Sequence, residues 1–130
     1  MTMVDTNTVI HYLKGREPVV SRWQAASPRE LMIPSVVAYE IQYGMLKIGS
    51  RRQNALVFGL LAGLEQVAFD RDAANESARI RVELEGRGLV IGPLDLLIAG
   101  TALSRNATLI TNNTKEFSRI EGLRLADWTK

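Results

Sequence analysis

The chain has no cysteine among its 130 residues, which excludes disulfide scaffolds, thiolate zinc sites and cysteine nucleophiles. Its one histidine, His11, leaves a histidine-rich metal site and a Ser-His-Asp triad without their main support. His11 falls about two turns along the helix expected after Asp5 and reads as a surface or interface side chain. No apolar run reaches the roughly 18 residues that suggest a membrane span. The N-terminus enters a strand-like run at once, so no signal peptide is expected and the cytoplasm is the default location. Repeats, linkers and low-complexity tracts are also missing.

What is present is a globular composition, 46% hydrophobic and 23% charged, which argues against disorder and for a single domain spanning residues 1–130. Sixteen basic and 14 acidic residues give a net charge of +2. If Asp5, Glu40 and Asp95 converged on a metal, 16 basic residues would face 11 acidic ones. That surplus mildly favours a polyanionic partner such as RNA.

The first ten residues, MTMVDTNTVI, set the organisation. Met1 to Val4 has strand length, Asp5 ends it, and Val9, Ile10 and Leu13 follow at helical spacing. This is how an α/β sheet delivers a side chain at the carboxyl end of its first strand. A second helix is expected over Glu17 to Ala26, stopped by Ser27-Pro28, and Leu31 to Ile33 reads as a buried strand. Pro34-Ser35 introduces a helix to about Ile48, with Ser35 as cap, Val37, Ile41, Met45 and Ile48 inward, and Gly49 closing it. Arg51 to Leu64 predicts another helix, with Leu56, Leu60, Leu61 and Leu64 inward. Val67 to Phe69 is a strand candidate, and residues 72–86 predict a helix. Leu89 to Ile91 is undecided between helix and strand. Leu94 to Ser104 is the most apolar helix, Thr108 to Thr111 a β-branched strand, Asn112 to Thr114 a turn, and Leu123 to Leu125 a last strand. Strands alternating with helices imply a mostly parallel sheet covered on both faces, an α/β/α arrangement.

Three acids stand out. Asp5 follows the first strand, Glu40 abuts the apolar stripe of the 36–48 helix, and Asp95 opens the helix before the fourth strand. Each has a plain explanation: Asp5 or Thr6 as a helix cap, Glu40 as a solvated charge, Asp95 as a dipole partner. Together they suggest more, because clustered carboxylates repel unless a cation neutralises them, and oxygen ligands suit Mg²⁺ or Mn²⁺. Arg79, Arg81 and Arg87 read as a solvated helix face that would meet RNA phosphates only if clustered.

Asp5-Thr6-Asn7, the segment Pro34 to Gly44, Ile91 to Asp95 with Ile98-Ala99, and Leu109 to Phe117 occur in an order that resembles a PIN domain. The closer resemblance is to the VapC-type ribonuclease toxins of bacterial VapBC toxin–antitoxin modules, over nearly the whole chain. It implies a three-layer PIN-like fold and a Mg²⁺-dependent endoribonuclease, with Mn²⁺ as substitute. The expected target is single-stranded or loop RNA, with a tRNA anticodon loop as the specific guess. It also implies a VapB-type antitoxin partner, a homodimer, and contact with DNA only through the antitoxin. By position, Asp5, Glu40 and Asp95 match the family's acidic metal-site residues, and Thr111 its supporting hydroxyl. Where the family often has a fourth acid, this chain has Asn113, which puts a full second metal site in doubt; Asn113 and Glu116 are carried as substitutes. Thr6 and Asn7 are expected to orient Asp5 and line the site, with helix capping an equal and compatible role. Two alternatives stay open. Asp5 to Val9 faintly resembles the DxDx[TV] nucleophile motif of haloacid-dehalogenase-like phosphatases, although Asn7 replaces its second Asp. A non-catalytic PIN-like binding module is the other.

Overall fold

Five strands and seven helices follow one another along residues 1–130, all of which the computed structural model describes. They are β1 (Thr2–Val4), α1 (Thr6–Leu13), α2 (Val19–Ala25), β2 (Leu31–Pro34), α3 (Ser35–Ile48) and α4 (Arg51–Ala62). Then come β3 (Glu65–Val67), α5 (Arg71–Gly86), α6 (Pro93–Ser104), β4 (Thr108–Ile110), α7 (Thr114–Phe117) and β5 (Arg124–Ala126). The sheet runs β3-β2-β1-β4-β5, and every neighbouring pair is parallel. Helices flank it, as the alternation of elements required. No helix is long and apolar enough to cross a membrane.

The strand order decides where a ligand can enter. From β1 the chain steps outward through β2 to β3, then returns to place β4 on the other side of β1. The order therefore reverses between β1 and β4, and a crevice opens beyond their carboxyl ends. Val4 pairs with Ile110, so Asp5 and Thr111 leave adjacent strands side by side. Central strands covered on both faces must be apolar throughout: Met3, Val4, Ile33 and Leu109 are all fully buried.

Helix ends follow local chemistry. Gly49 closes α3 at φ +74°, a left-handed cap that costs a glycine little, and its N–H returns to the Met45 carbonyl. Ser35 is not the cap of α3. Pro34 takes that position, and the Ser35 hydroxyl accepts from the Phe69 N–H at 3.2 Å. The tightest helix pair is α5 against α6, where Gly100 faces Ala73 and Ser77.

Other expectations shift. The third strand is Glu65–Val67, two residues earlier than its apolar run, because it pairs as an edge with β2 and needs only Val67 inside. Leu89 to Ile91 is neither helix nor strand. The last strand lies one residue later than expected, and the short α7 was not foreseen. Ile48 and Leu56 were expected inward, yet they are 71% and 61% exposed. While α3 packs on α1, α6 and β2, α4 packs on α3 and β3, and Ile48 and Leu56 stay on the open side of that pair.

Candidate active site

Asp5 leaves β1 in extended conformation and caps α1, its Oδ1 accepting from the Thr8 N–H at 2.9 Å. The capping role is thus real, and it coexists with a place at the sheet's switch point. Asp5 is 4% exposed, and burial pushes its carboxyl above the ordinary aspartate range. Hydrogen bonds from Thr111 and Thr8 oppose that rise, and His11 adds a weaker counter-charge. Thr111, fully buried, also accepts the Asn113 N–H on its hydroxyl at 3.0 Å. It therefore links Asp5 to the turn that follows β4.

Glu40 projects from the middle of α3, and the Thr6 hydroxyl donates to its Oε1 at 2.7 Å. Across the crevice, Asn113 Nδ2 donates to Glu116 Oε2 at 3.0 Å, holding that carboxylate on α7. Asp95 sits in the first turn of α6, its carboxylate folded toward Gly92, where an added Cβ would lie 3.4 Å from Oδ2. Its pKa is pushed up to about 6, first by burial, then by the negative charges of Glu40, Glu116 and Asp5. Asp95 thus feels the carboxylates of Asp5 after β1, Glu40 on α3 and Glu116 on α7, all toward one end of the sheet.

As the side chains stand, no three of them close directly on one ion. The donor set nevertheless fits a hydrated divalent cation. Mg²⁺ keeps several waters and needs only one or two carboxylates, so spaced, mutually repelling oxygens suit it. Asp5, Glu40 and Asp95 are the side chains that would hold the ion, with Glu116 at the margin. Arg79 and Arg81 lie elsewhere, paired along α5 with Glu76, Glu83 and Glu85.

The family model for the PIN domain matches residues 2–123. The tRNA(fMet)-specific endonuclease VapC of Salmonella typhimurium is 39% identical over 128 residues, 97% of this chain and 96% of the relative. Ribonuclease VapC2 of Rickettsia felis is 38% identical over 131 residues, 98% of each chain. The chain belongs to the PIN-domain family, among the VapC-type ribonucleases. Solved structures agree. VapBC2 from Rickettsia felis, bound to a promoter DNA fragment, superposes with a TM-score of 0.88 at 36% identity, covering 98% of each chain. DNA-bound VapBC from Salmonella typhimurium gives 0.89 at 37%, covering 98% of this chain and 97% of that one. Membership carries the ribonuclease class with it. It also removes the dehalogenase-like phosphatase as a reading of this chain.

Sequence reasoning gave two site-lining residues the wrong partner and missed a third residue. Thr6 holds Glu40, not Asp5, and Asn7 reaches Asn112 at 3.5 Å. The residue that secures Asp5 from its own helix is Thr8, whose hydroxyl also donates to the Ile110 carbonyl at 3.0 Å. Its position three residues after an N-cap acid was the available signal.

Proposed function

We propose that this VapC-type PIN domain is the toxin of a toxin–antitoxin pair, a Mg²⁺-dependent endoribonuclease in the cytoplasm. The observation that carries the reading is the four-carboxylate crevice at the β1–β4 switch point, centred on Asp95. When bound, the cation offsets negative charge on the phosphoryl group and makes water a better nucleophile. Mn²⁺ would substitute. The chain's own residues prepare that site: Thr8 and Thr111 fix Asp5, Thr6 fixes Glu40, and Asn113 fixes Glu116. The products are a 5′-phosphate and a 3′-hydroxyl. Loop RNA suits the crevice because its unstacked backbone can reach in where a duplex cannot. The Salmonella relative is named for tRNA(fMet), which supports a tRNA, cut in its anticodon loop, as substrate.

The partner is a VapB-type antitoxin. A groove of about 430 Å³ between α1, α3 and α4 supports this, with Ile10, Met45, Ile48 and Leu56 along it and Glu40 at its edge. An antitoxin segment with an apolar face would cover it and shut off the acids, while DNA is reached only through the antitoxin. A homodimer is supported by the uncharged, exposed strip of Tyr39, Tyr43 and Leu46 on α3.

Purified protein should cut tRNA with Mg²⁺, and a chelator should stop it. Asp5→Ala should lower cleavage by at least about 100-fold, beyond the usual loss from an outer-shell change, with an unchanged circular dichroism spectrum. A folded Asp5→Ala protein that cuts at near wild-type rate would sink the assignment.

A further inference from the structure

Between α5 and α6 the chain crosses residues 87–92, a stretch without regular structure that ends where Pro93 begins α6, the helix carrying Asp95 in its first turn. Val90 and Ile91 make no backbone hydrogen bond. Backbone bonds tie its start to Leu84 and Glu85 and its end to Leu96, and between them a pair of arginines supplies the side-chain hold. Arg119 Nη1 donates to the Val90 carbonyl at 3.0 Å, and Arg87 Nη1 donates to the Arg119 carbonyl at 2.9 Å. The two bonds run in opposite senses, so each segment grips the other. Glu83 lies 3.7 Å from Arg87 and steadies its guanidinium. Ile91 and Ile120, one residue from each carbonyl, are buried in the core.

The segments so clasped adjoin the helices that carry two of the four carboxylates, Asp95 on α6 and Glu116 on α7. Val90 is two residues before Gly92, over which the Asp95 carboxylate folds, and Arg119 is three residues after Glu116. We propose that Arg119 and Arg87 are positioning residues that set the separation of the Asp95 and Glu116 carboxylates, and through it the affinity of the crevice for a divalent cation. Neither guanidinium needs to touch cation or RNA. The proposal rests on the metal-site reading above. An exposed Arg–carbonyl bond adds little stability by itself, and these arginines act on the carboxylates through backbone position, so their effect on affinity is smaller than the roughly 10–100-fold of a group bonded directly to a ligand.

The test is calorimetric Mn²⁺ titration without RNA, joined to tRNA cleavage kinetics and amide exchange. Arg119→Ala should weaken Mn²⁺ severalfold, lower kcat with KM for tRNA nearly unchanged, and speed exchange at Leu89 and Leu96, whose N–H groups donate to the Leu84 and Gly92 carbonyls. Arg119→Lys, which keeps one donor, should recover part of the affinity. Arg87→Ala should give a smaller change in the same direction. Unchanged Mn²⁺ affinity with raised KM and a shallower salt dependence would overturn the proposal in favour of a phosphate contact. Unchanged affinity with only a lower Tm would reduce the clasp to ordinary stabilisation. Asp95→Asn separates the two levels: if wild type binds Mn²⁺ and Asp95→Asn does not, the site stands whatever Arg119 does. Absence of Mn²⁺ binding in wild type would overturn both.

Discussion

Asp95 keeps its proton to a higher pH than an isolated aspartate because burial and three neighbouring carboxylates disfavour its charge. Its folded pKa, about 6, lies above the unfolded value of 3.8, so the native state binds more protons between those limits. The contribution of Asp95 to metal-free stability is therefore fully present below pH 4, is lost as pH rises toward 6, and stays lost above it. Asp95→Asn should flatten that slope and raise the metal-free Tm at pH 7.5 by a few degrees, on the order of 3–8 °C. Thermal melts across pH 4 to 8 in chelator provide the check; an unchanged slope would mean that Asp95 is not under this repulsion. The acids themselves were legible, since strand ends and first helical turns place Asp5 and Asp95 from local pattern alone. Their partners were not. Whether Thr6 bonds Asp5 or Glu40 depends on how α3 lies against α1, and 34 residues separate Thr6 from Glu40. Glu116 was named only for its nearness in sequence, while α7 and the Asn113 amide are what hold it in the crevice.

Elements with a strong period were readable, and those defined by a neighbour were not. The α3 helix and β4 follow from their own apolar spacing. In contrast, β3 is a strand because β2 offers it an edge, and two of its three residues are exposed. Packing of α5 on α6 is another such case. A Cβ at Gly100 would stand 1.8 Å from Ser77 Oγ and 2.9 Å from the Ala73 carbonyl, so the helices approach only because Gly100 has none. The Ser77 hydroxyl in turn donates to Ala73 at 2.8 Å, which fixes it in the contact. Gly100→Ala should destabilise by about 1–3 kcal/mol, the usual cost of overpacking. Ser77→Gly should rescue part of that loss by removing both the hydroxyl and its Cβ. Urea unfolding of the two single variants and the double variant gives the coupling directly. A Gly100→Ala protein as stable as wild type would show that the helices are not this close. Because α6 carries Asp95, the same variant tests whether helix spacing reaches the crevice.

At the scale of the whole molecule, a fully parallel sheet sends every strand's carboxyl end to one side, and its order reverses there between β1 and β4. That topology brings Asp5, Glu40, Asp95 and Glu116 together from positions spread over 112 residues of chain. Folding therefore gathers like charges that the unfolded chain keeps apart, and a cation that binds only the gathered state must stabilise the whole domain. One site at a free Mg²⁺ concentration 100 times its Kd adds about 2.7 kcal/mol. For a domain of this size that is about 10 °C in Tm. The increment should grow with the logarithm of Mg²⁺, be reproduced by Mn²⁺, and be absent with a monovalent salt of equal ionic strength. It should shrink sharply in Asp5→Ala and Asp95→Asn, whose metal-free forms have already shed part of the repulsion. Calorimetric melts of the three proteins over a Mg²⁺ series would decide. Equal increments in all three would mean that the cation binds elsewhere, and no increment in any would mean that the four carboxylates do not act as one site.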